Sequence, residues 1–345
     1  MFNNINIIGV GSFVPDRVLT NYDIENMRPD DIEPENWTND AWIFPRTGIR
    51  ERRVAHDSWA SSDLMVRAAK KALLDAEMTM NVIDLIVTST SFPDKGFNNP
   101  RTSEIVKDKL GARQKTLSVC EDAACAGFTW ALERACMEML RHDFKHALVV
   151  SGDKVTSAVN YQDRSTCILF GDAAGAVILE KNSRFGGIYR TLRETNTKYI
   201  EAIEIPAGGS ALPYIINSNP ADFYIKMPGG ADMLKVIGGE VIPQLYNDLK
   251  QYARRGEVKF IIPHQANARI IKTAKHYLKN FAGEVFDANI ECFGNTSGSS
   301  VPLALDTIYR QGKLAPGDMI ILMGFGAGFI YGANLIEWSL PIYKP

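Results

Sequence analysis

The sequence predicts an α/β fold made of two related halves, and three observations predict it. Short apolar runs of strand type alternate with longer helix-type patterns along the whole chain. The runs DLIV at 84–87 and KFII at 259–262 both look like buried strands and lie about 175 residues apart. The block Ala124–Leu148 reads as loop, helix, basic turn and strand, and Ser297–Ile320 repeats that order at an offset of about 172. An offset near half of the 345 residues puts the break at Asn182–Gly187, giving halves 1–184 and 185–345. Chance alternation in any α/β chain would look similar, so the repeat alone leaves a duplication open.

Strands are expected at Ile5–Val10, Leu85–Thr90, Thr116–Val119, Ala147–Ser151, Ala176–Glu180, Lys259–Ile262, Ile320–Met323 and Ala333–Glu337. Helices are expected at Ser62–Ala76, Thr102–Leu110, Gly127–Leu140, Ala231–Tyr252, Ala268–Leu278 and Pro302–Arg310. The Ser-Ser-Asp start of the first would cap it. Two segments look like insertions or lids: the acidic, turn-rich Asn26–Asp40 and the Pro-, Gly- and Ser-rich Pro206–Asp222.

Composition narrows the functional classes. Hydrophobic residues make up 46% and charged residues 23%, ordinary values for a globular protein with a sizeable core. A net charge of −2 gives no argument for nucleic acid or an anionic membrane as partner. The start MFNNINIIGVGSFVP has no positive n-region and reads as a first strand, and no later run reaches the length of a membrane helix. The five cysteines show no CxxC spacing, and reduced thiols in a cytoplasm are expected. Gly9-Val10-Gly11 hints at a dinucleotide fingerprint, but Val14 stands where a third small residue is needed, so that reading is set aside.

The chemistry concentrates in four loops. In SVCEDAACAGFTWALER (118–134) a strand-like run leads to Cys125, and a helix pattern follows. That puts Cys125 at or just before a helix N-terminus, where the macrodipole can lower a thiol's pKa. Taken alone, a Cys among Ala and Gly also reads as a small core residue. His264 sits in FIIPHQANARII, at the C-terminal mouth of a strand where α/β sheets bind ligands. Asn295 sits in the turn CFGNTSGSS before a helix, and GFGAG (324–328) follows a strand. A structural His, a turn Asn and a tight Gly turn are the plain alternatives. Together the four supply a thiol, an imidazole, a neutral amide donor and a backbone N–H site. That set suits thioester chemistry, with no carboxylate base needed if a carbanion is made by losing CO₂. Separately, Arg269, Lys272, Lys275 and Lys279 form a basic stripe after His264 that would suit an acidic partner.

The segments WIFPRTGIRERRVA (42–55), DAACAGFTWAL (122–132), DRSTCILFGDAAGAVIL (163–179), PHQANARII (263–271), GNTSGSSVPLAL (294–305) and GFGAGFIYG (324–332) resemble the type III ketoacyl-ACP synthases of the thiolase superfamily. These are the initiating condensing enzymes of bacterial fatty-acid synthesis. The resemblance implies a five-layered αβαβα thiolase-like fold and a homodimer. It implies a catalytic triad of Cys125, His264 and Asn295, and an oxyanion hole from the backbone N–H groups of Cys125 and Ala327. Coenzyme A contacts would fall on Trp42, Arg46 and Arg164, with Asn267 and Arg269 along the pantetheine arm, and Phe97 would enter the partner subunit's acyl pocket. The implied substrates are an acyl-CoA and a malonyl thioester, with acyl carrier protein as partner and no metal or redox cofactor. Ala327 in place of a glycine, Asn98-Asn99 after Phe97, and the long acidic insertion depart from the family pattern. They leave open a natural-product acyltransferase with a β-keto, hydroxyl or amine acceptor. A non-catalytic scaffold subunit is the remaining alternative, although all three polar residues are kept.

Overall fold

Two five-stranded sheets carry the chain. The computed structural model describes residues 2–344 except 3, 183–185, 217–218, 254–256 and 289. β1 (Ile5–Phe13) opens the first sheet; a small hairpin of β2 (Val18–Thr20) and β3 (Glu51–Arg53) follows, with α1 (Asn21–Glu25) and α2 (Asp40–Thr47) inside it. Then come α3 (Ser61–Asp75), β4 (Leu85–Ser89), α4 (Thr102–Lys109), β5 (Leu117–Glu121), α5 (Gly127–Arg141), β6 (His146–Asp153) and β7 (Ala173–Lys181). The strand order is β1-β7-β6-β4-β5. β4 runs parallel to β5 and β6, and β7 antiparallel to β6 and β1.

The second sheet repeats this plan. β8 (Gly187–Thr195) precedes α6 (Gly230–Val236), α7 (Ile242–Lys250), β9 (Phe260–Pro263), α8 (Ala268–Tyr277), β10 (Glu284–Val285), α9 (Ile290–Phe293), α10 (Ser300–Arg310), β11 (Met319–Gly326) and β12 (Ile330–Glu337). The order is β10-β9-β11-β12-β8, with β9 parallel to both neighbours and β12 antiparallel to both of its own. β4 and β9, the two runs that repeat in the sequence, hold the same place in their sheets.

Both sheets are covered on both faces, which explains their nearly continuous apolar runs. In β6, Ala147 and Val149 join a central core with Phe128, Leu132 and Met139 of α5 and Leu305 and Ile308 of α10. Leu148 and Val150 point the other way, into the core under α3. The second sheet divides likewise: Ile320 and Leu322 face the centre, while Ile321 and Met323 pack against α7 and α8. The result is the five-layered α/β thiolase-like fold, with α5 and α10 as the middle layer.

Several local expectations change. The single helix expected over Ala231–Tyr252 is α6 and α7 joined by a π-helical turn, Ile237–Val241. Pro243, in the first turn of α7, brings no backbone N–H for the regular ladder, and such breaks favour a π-bulge. β8 lies where no strand was expected, because its polar Arg190, Thr191, Arg193 and Glu194 mask the apolar period. The cap of α3 comes from Asp63, which accepts the Ala60 N–H at 2.8 Å. Ser61 and Ser62 are used elsewhere, on the Phe92 carbonyl and on Asp94.

The structure also explains the Gly-Val-Gly of β1. A Cβ on Gly11 would lie 2.3 Å from the Ala72 nitrogen and 2.7 Å from the Ala68 carbonyl oxygen, and one on Gly9 would lie 2.5 Å from the Ala72 oxygen. These glycines let α3 press its backbone onto β1. Gly11→Ala should lower stability by about 1–3 kcal/mol, the usual range for overpacking. A urea unfolding midpoint measures this, and an unchanged midpoint would refute the close-packing account.

Candidate active site

Cys125 stands on a single 3₁₀ turn, Ala124–Ala126, between the end of β5 and the start of α5. Ala124 carries a left-handed φ of +46°, the bend that turns the chain from strand to helix. Cys125, His264, Asn295 and Ala327 line one cavity of about 470 Å³. His264 follows β9, Asn295 lies in the turn before α10, and Ala327 follows β11. The four loops singled out in the sequence therefore meet. A Cβ on Gly326 would sit 2.5 Å from the Cys125 nitrogen, so the Gly326–Ala327 backbone runs directly against the Cys125 turn.

Hydrogen bonds orient both polar partners. The Asn295 Oδ1 accepts the Ser297 N–H at 2.9 Å, which leaves its Nδ2 as the donor for the cavity. His264 Nδ1 lies 2.5 Å from Ser300 Oγ, and the same oxygen accepts the Gln265 N–H at 3.2 Å. With the Ser300 hydroxyl donating to Nδ1, the ring proton sits on Nε2, and this is the tautomer assigned to His264. Burial pushes the imidazole pKa down to about 3, so the ring is a neutral donor at physiological pH.

The thiol differs from the sequence expectation. The helix N-terminus was expected to lower its pKa, but burial dominates and pushes Cys125 up to about 11. A hydrogen bond between the sulfur and Ser297 Oγ, 3.4 Å apart, opposes the rise, and the charge of Asp153 adds to it. Cys136 is fully buried in α5, and its thiol is pushed up as well.

The cavity mouth is basic and aromatic. The Trp42 ring has the Arg164 guanidinium 3.9 Å and the Arg46 guanidinium 4.5 Å from its centroid. Trp42, Arg46, Asn267 and Arg269 line the cavity, whereas Arg164 reaches it only through Trp42 and donates to the Asn36 carbonyl at 3.0 Å. Asn267 caps α8 by accepting the Arg269 N–H and donates to the Arg46 carbonyl, tying α2 to α8. Arg269, Lys272 and Lys275 are exposed along α8, but Lys279 lies beyond its end at Tyr277, so the basic stripe is one residue shorter than expected on the helix. Phe97 is 83% exposed on a turn and is not part of its own chain's cavity wall.

Sequence reasoning missed the apolar wall. Ile203, Ile205, Ile225, Met227, Met233 and Leu234 form it, bracketing the Pro206–Asp222 segment, whose residues do not line the cavity. Their clustering on either side of that loop was the available signal. It also missed Ser297, Ser300 and Asp153, hydroxyl and acid groups that nothing in one sequence separates from turn residues. Among the described residues no group of three His, Cys, Asp or Glu side chains could hold a metal ion, and no helix is long and apolar enough to cross a membrane.

Residues 122–195 match the family described as 3-oxoacyl-[acyl-carrier-protein (ACP)] synthase III, and residues 250–338 match its C-terminal region. The chain is 36% identical over 339 residues to a β-ketoacyl-[acyl-carrier-protein] synthase III of Desulfitobacterium hafniense, covering 97% of this chain and 98% of the relative. A synthase of the same name from Clostridioides difficile is 35% identical, again covering 97% and 98%. The solved 3-oxoacyl-[acyl-carrier-protein] synthase III of Aquifex aeolicus superposes with a TM-score of 0.81 at 33% identity, covering 97% of this chain and all of the other. The priming β-ketosynthase of the R1128 polyketide biosynthetic pathway superposes with a TM-score of 0.85 at 30% identity, covering 98% and 97%.

A neutral, Nε2-protonated His264 has a direct readout. In heteronuclear NMR of protein labelled in its histidine rings, the His264 signals should stay unchanged between pH 5 and 8. A midpoint near the ordinary value of 6.5 would contradict the burial argument.

Proposed function

Because the chain belongs to the 3-oxoacyl-[acyl-carrier-protein] synthase III family, we propose that it condenses an acyl-CoA with a malonyl thioester, through an acyl group carried on Cys125. One observation carries this reading: a thiol at the head of α5 shares its cavity with two neutral donors, the His264 ring and the Asn295 amide. The Cys125 sulfur attacks the acyl-CoA carbonyl. The backbone N–H groups of Cys125 and Ala327 hold the oxygen of the tetrahedral intermediate, and coenzyme A leaves. A malonyl thioester then enters, with malonyl-[acyl-carrier-protein] as the expected form. His264 Nε2–H and Asn295 Nδ2–H bind its thioester oxygen, CO₂ departs, and the enolate attacks the acyl-cysteine. Removing one such donor costs about 10²–10³ in rate. Both donors are neutral, which favours an oxygen that gains charge only as CO₂ leaves.

The remaining roles follow from placement. The Arg46–Trp42–Arg164 stack suits the phosphates and adenine of coenzyme A, with Asn267 and Arg269 beside its pantetheine arm. The apolar wall suits the acyl chain. The exposed Arg269, Lys272 and Lys275 face of α8, with Lys279 after it, would meet an acidic carrier protein. An exposed Phe97 and the edge strand β5 fit a homodimer in which Phe97 reaches the partner's acyl pocket. The chain would then be a duplicated unit with halves 1–184 and 185–345, active in the cytoplasm without a metal or redox cofactor.

Intact-protein mass spectrometry after incubation with a panel of acyl-CoAs tests this. The parent should gain one acyl group, and Cys125→Ala none. His264→Ala and Asn295→Ala should still acylate but lose condensation by about 10² or more. Acylation of Cys125→Ala, or normal condensation by both donor variants, would overturn the reading.

A further inference from the structure

A buried cation stands behind the Asn295 turn. Arg52, in the middle of β3, is fully buried. Its guanidinium is held by neutral acceptors. Nη1 donates to Asn21 Oδ1 at 2.8 Å and to the Leu19 carbonyl at 3.4 Å, and Nη2 donates to the Ile168 carbonyl. Nε makes no hydrogen bond among the described residues. Burial lowers the pKa to about 10, so the group stays charged at neutral pH. A buried charge without an ionic partner is costly, and an apolar side chain of similar length would fill the space without that cost.

The Ile168 carbonyl belongs to the segment that holds Asn295. The Leu169 carbonyl accepts the Asn295 N–H at 2.8 Å, and the Gly171 N–H donates to the Asn295 carbonyl at 3.0 Å. Phe170 and Asn295 thus form an isolated parallel bridge. Arg52 packs against both sides of it: a Cβ on Gly171 would be 3.1 Å, and one on Gly294 3.3 Å, from the Arg52 Cβ. Gly294 has a φ of +63°, and a Cβ there would lie 2.6 Å from the Leu169 oxygen, so the two backbones meet without room for a side chain. The other end of the fork is anchored as well. Asn21 Nδ2 donates to Asp40 Oδ1 and to the Ile49 carbonyl, both at 2.8 Å. The groups packed against the Cys125 turn and the start of α5 are different ones, Gly324 and Gly326 of β11 and Ser89 of β4.

We propose that Arg52 is a positioning residue for the Asn295 donor: its guanidinium fixes the segment 168–171, whose backbone holds Asn295, and so serves condensation rather than the loading of Cys125. The fork ties that segment to Leu19 and Asn21, more than a hundred residues away in the chain. The Ser297 N–H then sets only the rotation of the amide, at Oδ1. A planar fork with fixed donor directions suits this task better than a flexible ammonium. The proposal rests on Asn295 being a donor to the malonyl thioester.

The competing role is a general structural one. Through Asn21 and Asp40, Arg52 also braces α2, which carries Trp42 and Arg46, so a structural role would impair loading too. Two rates separate the roles. One is loading of Cys125 from an acyl-CoA, followed by intact-protein mass spectrometry. The other is single-turnover condensation of the acylated protein with malonyl-[acyl-carrier-protein]. Arg52→Met should load within about twofold of the parent but condense about 10–10²-fold more slowly, the scale of a misplaced reacting group. Arg52→Lys, which keeps the charge but not the fork, should fall between. In an Asn295→Ala background either substitution should cost nothing further, because the group it positions is gone. Thermal unfolding midpoints check every variant, and where Arg52→Met does not fold, Arg52→Lys decides by the same cycle. Equal losses in loading and condensation would overturn the proposal, as would losses that multiply in full with Asn295→Ala. If Asn295→Ala alone condenses at the parental rate, the donor reading falls, and this proposal with it.

Discussion

The arrangement depends on how closely other backbone is brought to the Cys125 turn. A side chain at Gly326 would collide with the Cys125 nitrogen, and one at Gly324 would come within 2.7 Å of the Ala126 Cα. A side chain at Gly127 would overlap the Ser89 hydroxyl. The two glycines of β11 therefore let the second sheet reach the head of α5, and Gly127 lets β4 of the first sheet do the same. Everything functional follows from that contact. It places Ala327 beside Cys125, and with α10 packed beside α5 it brings the Asn295 turn and His264 to the same cavity. A thiol, a ring and an amide from opposite halves of the chain can meet only because the two half-folds join back to back through their middle helices.

The site is built from neutral groups. Burial keeps the His264 ring uncharged and the Cys125 thiol protonated, so the resting state is not a thiolate–imidazolium pair. A protein interior disfavours isolated charge, and hydrogen-bond donors fixed in advance stabilise charge at the moment it forms. Both polar partners are fixed by hydrogen bonds to neighbouring residues. Ser300 sets the tautomer of His264, and the Ser297 N–H sets the orientation of the Asn295 amide. The tetrahedral intermediate of acyl transfer and an enolate each place negative charge on one oxygen, and the proposed mechanism gives each its own donor set.

Much of this was legible in the sequence because it is local. Strand and helix alternation, the offset between DLIV and KFII, and the loops around Cys125, His264 and Asn295 are short-range patterns, and the structure shows each of them. Long-range effects stayed hidden. β8 carries polar residues along much of its length, so its apolar period is faint until its pairing with β12 is seen. The thiol's pKa depends on atoms from distant segments enclosing it, whereas the helix start that argued the other way is visible in a few residues. Asp153 and Ser297 are 144 positions apart and meet only in the fold. The glycines of β1 carried a misleading signal, because close helix packing and phosphate binding call for the same residue.

The central claim is that the neutral donors act on an oxygen that becomes charged as CO₂ leaves. Single-turnover reaction of acylated protein with labelled malonyl-[acyl-carrier-protein] tests it most directly, by counting CO₂ and β-ketoacyl product together. The account predicts one CO₂ and one β-ketoacyl thioester for each acyl-cysteine consumed. Discharge of the acyl group onto an acceptor with no CO₂ released would contradict it.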